Sequence, residues 1–193
     1  MISNTLLITG VNEGGILENS FVERIPIILN ETEKMCRAND LDAKQTMHMR
    51  LLAEELICML PQLLSYGTGT FWIESDYLKF EFHMKVKPDR VIEFERKNTG
   101  QGAMEKNLSK RSMLRRICAA VDNAVNYNKA RRADYGRQWS LASYVNELKK
   151  TDRRTNEDAW DELEKSIIAN LATNVTIDAH DDDVEVVLRK DFY

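Results

Sequence analysis

The sequence predicts an α+β protein, a two-layer sandwich in which a mainly antiparallel sheet is covered by helices on one face, with a helical insertion. Three observations predict it. The run Leu78-Lys79-Phe80-Glu81-Phe82-His83-Met84-Lys85-Val86 alternates apolar and polar residues without a fault. That period of two marks a strand with a single buried face. Met49, Leu52, Leu56, Met59 or Leu60, and Leu63 recur every three or four residues, the apolar stripe of a helix that packs against something. Finally, the chain order runs strand, two helices, hairpin, helical middle, closing hairpin, and such segregation favours two layers.

The elements follow in order. Thr5 to Val11 is rich in β-branched and aliphatic residues and ends at Asn12, Gly14 and Gly15, so it reads as a short strand. Ser20-Phe21-Val22-Glu23 has the spacing of a capping box, and a helix should follow through about Asn39. Pro26 lacks a backbone N–H, which predicts that the regular helix begins at or just after it. Asp42-Ala43-Lys44-Gln45 repeats the capping-box spacing and opens the second helix; Pro61 should kink its last turn, and Gly67 and Gly69 should end it.

Phe71 and Ile73 alternate with Trp72 and Glu74, and with Ser75-Asp76 between them this run and Leu78–Val86 form an antiparallel hairpin. Residues 96–110, with Asn98, Thr99, Gly100 and Gly102, read as a loop. Met113, Leu114, Ile117, Cys118, Val121 and Val125 form a helical stripe, a basic turn spans Lys129 to Arg137, and Leu141, Tyr144, Val145 and Leu148 continue the helical pattern. Thr155-Asn156-Glu157-Asp158 opens one more helix carrying Trp160, Leu163, Ile167, Ile168 and Leu171. Val175–Ile177 and Val184–Leu188 close the chain as a hairpin across 179–183.

A length of 193 residues suits a single domain over 1–193. The sandwich takes 1–99 and 155–193, and a basic helical insertion takes about 100–154. Hydrophobic residues are 43% and charged residues 30%, enough apolar content to argue against disorder. With 3 Pro and 8 Gly, collagen-like and linker-like architectures are excluded. No segment approaches the roughly 20 apolar residues of a membrane helix, and the first ten residues lack the basic start of a secretory signal. Cys36, Cys58 and Cys118 are few, odd in number and set in apolar or helical stretches, which points to a reducing cytoplasm rather than a disulfide framework. Net charge is −4, yet residues 96–154 hold 15 Lys or Arg against 5 Asp or Glu. A basic middle between acidic ends fits complementarity within the fold or between copies, and also a docking surface for an acidic partner.

The motifs of P-loop nucleotide binding, HExxH and GxSxG hydrolysis, CxxC chemistry and EF-hand calcium binding are absent. Asp181-Asp182-Asp183 offers carboxylate oxygens to a cation, but three acids in a turn are read as a solvated edge, and no metal site is expected. His83 falls on the polar face of its strand and is expected to be exposed. Cys58 lies between Ile57 and Met59 on the apolar helix and is read as core. Glu54-Glu55 stands out, because charges on a helix full of Leu and Met need a reason; adjacent positions differ by about 100° around the axis, so one can face water while the other does not.

The stretch Met49-Arg50-Leu51-Leu52-Ala53-Glu54-Glu55-Leu56-Ile57-Cys58-Met59-Leu60, with a helix before it and a two-stranded unit after it, resembles the N-box helix of the GHKL superfamily. That superfamily comprises histidine-kinase-type ATPase domains, gyrase-type and chaperone ATPases, and anti-sigma-factor kinases. The closing Asp183-Val184-Glu185-Val186-Val187-Leu188-Arg189-Lys190 is similar to the last strand of that fold. The resemblance covers about 1–95 and 160–193 in element order. It implies that Glu55 occupies the place of the family's glutamate, which positions the attacking water or hydroxyl. Met59 then stands where the family has its magnesium-holding Asn, and a thioether is a poor ligand for that hard cation. Asp89 corresponds to the adenine-contacting Asp, without the glycine that follows it in the family, and Thr99-Gly100-Gln101-Gly102 is what stands for the Gly-rich phosphate lid.

The first expectation is therefore a regulatory or interaction module with a histidine-kinase-like fold that has lost its Mg-ATP motifs, a reading that leans away from an enzyme. It would take no cofactor and act on a protein partner or as a homodimer. The second is an active ATP-binding kinase of the anti-sigma-factor type, with Glu55 as base and Asp89, Gly100 and Gly102 holding ATP. The third is a nucleic-acid-binding protein that tracks phosphates with Lys110, Arg111, Arg115 and Arg116, among neighbours Lys106, Lys129, Arg131 and Arg132.

Overall fold

The alternating runs at 71–86 fold into the longest hairpin of the sheet, β2 (Gly67–Asp76) and β3 (Lys79–Pro88). In this computed structural model residues 1–9, 19–64, 67–88, 139–151, 156–180 and 183–193 are described. The remaining described elements are β1 (Leu6–Thr9), α1 (Asn19–Ala38), α2 (Ala43–Leu64), β4 (Trp139–Ser140), α3 (Leu141–Lys150), α4 (Glu157–Lys165), α5 (Ile167–Leu171), β5 (Asn174–His180) and β6 (Asp183–Asp191). The six described strands form one sheet in the order β1-β2-β3-β6-β5-β4, and every neighbouring pair is antiparallel. The expected α+β class and antiparallel sheet are what the chain adopts.

Period two decides which face is buried. Phe71, Ile73, Phe80, Phe82, Met84 and Val86 turn inward, joined by Val184, Val186 and Leu188 of β6 and Val175 and Ile177 of β5. The Phe71 and Phe82 rings lie 6.3 Å apart in a tilted pair, a favourable aromatic geometry. Helices supply the other half of this core: Ile28 and Cys36 from α1, Met49, Leu52 and Leu56 from α2, and Ile168 from α5. Both helix ends around residue 40 are sealed. Asp42 and Gln45 exchange the reciprocal bonds of a capping box, Gln45 N–H to Asp42 Oδ1 at 2.7 Å and Asp42 N–H to Gln45 Oε1 at 3.0 Å. Just before it, Leu41 N–H reaches Cys36 O and Asp40 N–H reaches Arg37 O, with Asp40 at φ 55. This is the Schellman ending, in which one residue takes the left-handed conformation to satisfy the last carbonyls.

Four sequence expectations are corrected or refined. Helix α1 begins at Asn19 and runs through Pro26; the proline removes one helical N–H, and Ile25 just ahead of it packs against the core that Ile28, Met35 and Cys36 enter. The hairpin turns at Tyr77-Leu78 instead of Ser75-Asp76, since Asp76 pairs with Lys79. Tyr77 adopts φ 55 to make this turn, a conformation its residue type does not advertise. The helix expected through Leu171 divides at Ser166, whose backbone is extended (φ −83, ψ 125). Ser166 Oγ accepts the Ala169 N–H and starts α5, while Asn170 Nδ2 donates to the carbonyls of Glu164 and Ser166, so the break leaves few orphan groups. Within the segment expected as helical insertion, Trp139–Ser140 pairs with β5 and α3 sends Leu141 and Leu148 into the core. The loop at 96–110, the stripe at 113–125 and the basic turn lie outside the described residues.

Candidate functional site

Glu55 is the one predicted site residue whose side chain is described. It sits on α2 beside Leu56 and is only 6% exposed. Its neighbour Glu54 lies on the outer surface and accepts from Arg50 Nε at 3.1 Å. The 100° step between adjacent helix positions thus sends one carboxylate inward and the other to water. Asp89, Gly100 and Gly102 lie outside the described residues, as do Lys106, Lys110, Arg111, Arg115, Arg116, Lys129, Arg131 and Arg132. Of Met59 the structure describes only the backbone, within α2. Asp181 and Asp182 are also outside; Asp183 lies in β6, and its carboxylate holds Lys85 Nζ at 2.7 Å. That contact raises the Lys85 pKa above its ordinary value.

The chemistry that the structure does assemble lies on the face of the sheet opposite the core. Register stacks it in rows. Trp72 pairs across β2–β3 with His83, and Glu74 pairs with Glu81; on the far side of β3, His83 is opposite Val187, Glu81 opposite Arg189 and Lys85 opposite Glu185. The indole of Trp72 and the imidazole of His83 stack with centroids 4.8 Å apart and planes 7° from parallel. Trp72 Nε1–H donates to Glu74 Oε1 at 2.8 Å. His83 Nδ1 lies 3.0 Å from Glu185 Oε1, and Nε2 lies 3.5 Å from Glu81 Oε2.

His83, expected to be exposed, is therefore enclosed: its side chain is 12% exposed. The large ring of Trp72 shields one face of the imidazole, which the lone histidine in the sequence does not reveal. At the end of the same surface Arg189 Nε donates to Asp191 Oδ1 at 2.9 Å, and Tyr193 Oη donates to Asp191 Oδ2. The guanidinium holds the buried Asp191 carboxyl below the ordinary carboxylate range. Sequence reasoning missed Glu74, Glu81 and His83 as a group. The signal was the cross-strand register, and it becomes readable only once the turn is placed at Tyr77-Leu78.

The cluster offers one imidazole and several carboxylates, a set able to hold a cation or exchange a proton. Fold and surface together define an α+β protein with an open antiparallel sheet that keeps a polar cluster apart from its helices. Compared with protein-family models, curated proteins and solved structures, the chain matches none. Among the described residues no helix is long and apolar enough to cross a membrane.

Proposed function

We propose that the chain is a regulatory or interaction module on a histidine-kinase-like sandwich that has lost its Mg-ATP chemistry, and that it works in the cytoplasm by pairing with a second copy of itself along the outer edge of β1. The observation that carries the reading is that edge. Among the described strands β1 lies at the end of the sheet, and the chain before it continues alongside β2. Ser3 N–H donates to Ile73 O, Ser75 N–H donates to Met1 O, and Ile2 bridges Glu74. Among the described residues no strand pairs with the other side. Leu6-Leu7-Ile8-Thr9 carries neither charge nor proline, the devices that usually blunt a free edge. Leu7 is 55% exposed, Ile2 65% and Met1 63%. Antiparallel pairing of two such edges about a two-fold axis is self-complementary and meets no like-charge repulsion.

The loss of ATP chemistry is supported by Met59 in place of a magnesium-binding amide and by the enclosure of Glu55, since a group that activates water must reach an open cleft. The buried free thiol of Cys36 agrees with a reducing compartment.

Sedimentation equilibrium tests the reading. The wild-type chain should be dimeric at micromolar concentration, and Leu7→Lys should be monomeric with an unchanged circular dichroism spectrum. A wild-type chain that stays monomeric at hundreds of micromolar rejects the edge. Mg-ATP should leave the melting temperature unchanged, because a ligand that binds only the folded state raises it; a magnesium-dependent rise restores the kinase reading.

A further inference from the structure

Two carboxylates placed directly opposite each other in a sheet repel. Glu74 and Glu81 are such a pair. Two residues along β3, His83 presents Nε2 to the same place, and this nitrogen is buried without a hydrogen-bond partner. A buried polar atom left unpaired is costly, typically about 1–3 kcal/mol. We propose that Glu74, Glu81 and His83 form a binding site for a divalent transition-metal ion, zinc above all, with a fourth position open to water or another ligand.

The geometry fits that ion. Bonds of about 2.0–2.2 Å in a tetrahedral zinc site put neighbouring donor atoms about 3.4 Å apart. His83 Nε2 and Glu81 Oε2 already stand 3.5 Å apart. One ligand atom from each of the three residues falls within 4.8 Å of the others. A mixed imidazole and carboxylate set suits zinc, whereas magnesium and calcium favour oxygen alone.

The surroundings also orient the donors as metal sites do. Glu185 Oε1 lies 3.0 Å from His83 Nδ1; an ionised carboxylate only accepts, so Nδ1 is the protonated nitrogen of the neutral ring, and Nε2 is the nitrogen that a metal ion would take. Trp72 fixes the imidazole plane by stacking and fixes Glu74 through its indole N–H. The closest partners of the two neighbouring cations lie outside the trio: Arg189, opposite Glu81, donates to Asp191, and Lys85 is held by Asp183.

Isothermal titration of the full chain with zinc chloride tests the site. One zinc per chain should bind in the micromolar range. His83→Gln and Glu74→Gln should each weaken binding at least tenfold, and Glu185→Gln, a positioning change, about tenfold. His48→Gln and His180→Gln should leave binding unchanged. Should His83→Gln fail to fold, Glu74→Gln carries the test through cobalt(II), whose four-coordinate visible absorption should appear in the wild type and vanish in the variant. Absence of zinc binding, or equal binding by the wild type and Glu74→Gln, overturns the proposal. Neither outcome bears on self-association through β1.

Discussion

Replacing Leu52 by Ala asks whether α2 is held on the sheet by its apolar stripe. Leu52 has no solvent exposure and belongs to the core shared by α2 and the strands. The substitution removes three buried carbons, about 2.4 kcal/mol at ~0.8 kcal/mol each. The surrounding rings and strands relax only in part, and the residual cavity brings the total to about 3 kcal/mol. Set against the 5–15 kcal/mol typical of a domain, that is a large share of stability. With a urea slope of about 2 kcal/mol per molar, the midpoint should fall by about 1.5 M. Urea melts followed by far-UV circular dichroism give the value, with Met47→Ala as the control. Met47 lies on the same helix but is 61% exposed, so its loss should stay within about 0.5 kcal/mol. A Leu52→Ala loss below about 1 kcal/mol, or one no larger than the control, would mean that the apolar stripe does not hold α2 on the sheet.

Two further outcomes follow from titratable groups. Asp191 has its pKa lowered from 3.8, first by the hydrogen bond from Arg189. A carboxyl depressed in the folded state stabilises above its unfolded pKa, and that contribution disappears as pH falls through the folded value. Urea midpoints at pH 5 and below pH 4 should therefore drop more steeply in the wild type than in Asp191→Asn; parallel profiles contradict the ion pair. Cys36 is pushed up to about 11, chiefly by burial and then by Glu33. Iodoacetamide at pH 8, read by peptide mass mapping, should leave it unmodified in the native chain and alkylate it in urea; rapid native labelling contradicts its enclosure.

Much of the fold was legible in the sequence because its signals are periodic and local. The faultless alternation from Phe80 to Val86 reports the buried face of β3 directly, and the Asp42–Gln45 spacing became two real hydrogen bonds. Signals that depend on packing were weaker. Pro26 argues for a boundary on propensity alone, yet α1 extends seven residues ahead of it, the kind of tertiary override that propensity cannot foresee. Ser166 looks like an ordinary helical position until its hydroxyl is seen capping α5. The polar cluster was less legible still. Trp72, Glu74, Glu81, His83 and Glu185 come from three strands, and only the register brings them together. A turn misplaced by two residues scrambles that register, and Tyr77 at φ 55 carries none of the usual turn chemistry.

The proposed self-association runs through the β1 edge, which no strand among the described residues covers. Amide hydrogen exchange along Leu6–Thr9, measured from nanomolar to high micromolar protein, reads that pairing at the strand itself. Alternate amides of this strand point away from β2, and these should gain protection in step with dimer formation while Leu7→Lys abolishes the gain. Exchange rates along β1 that stay the same across the whole concentration range contradict the claim.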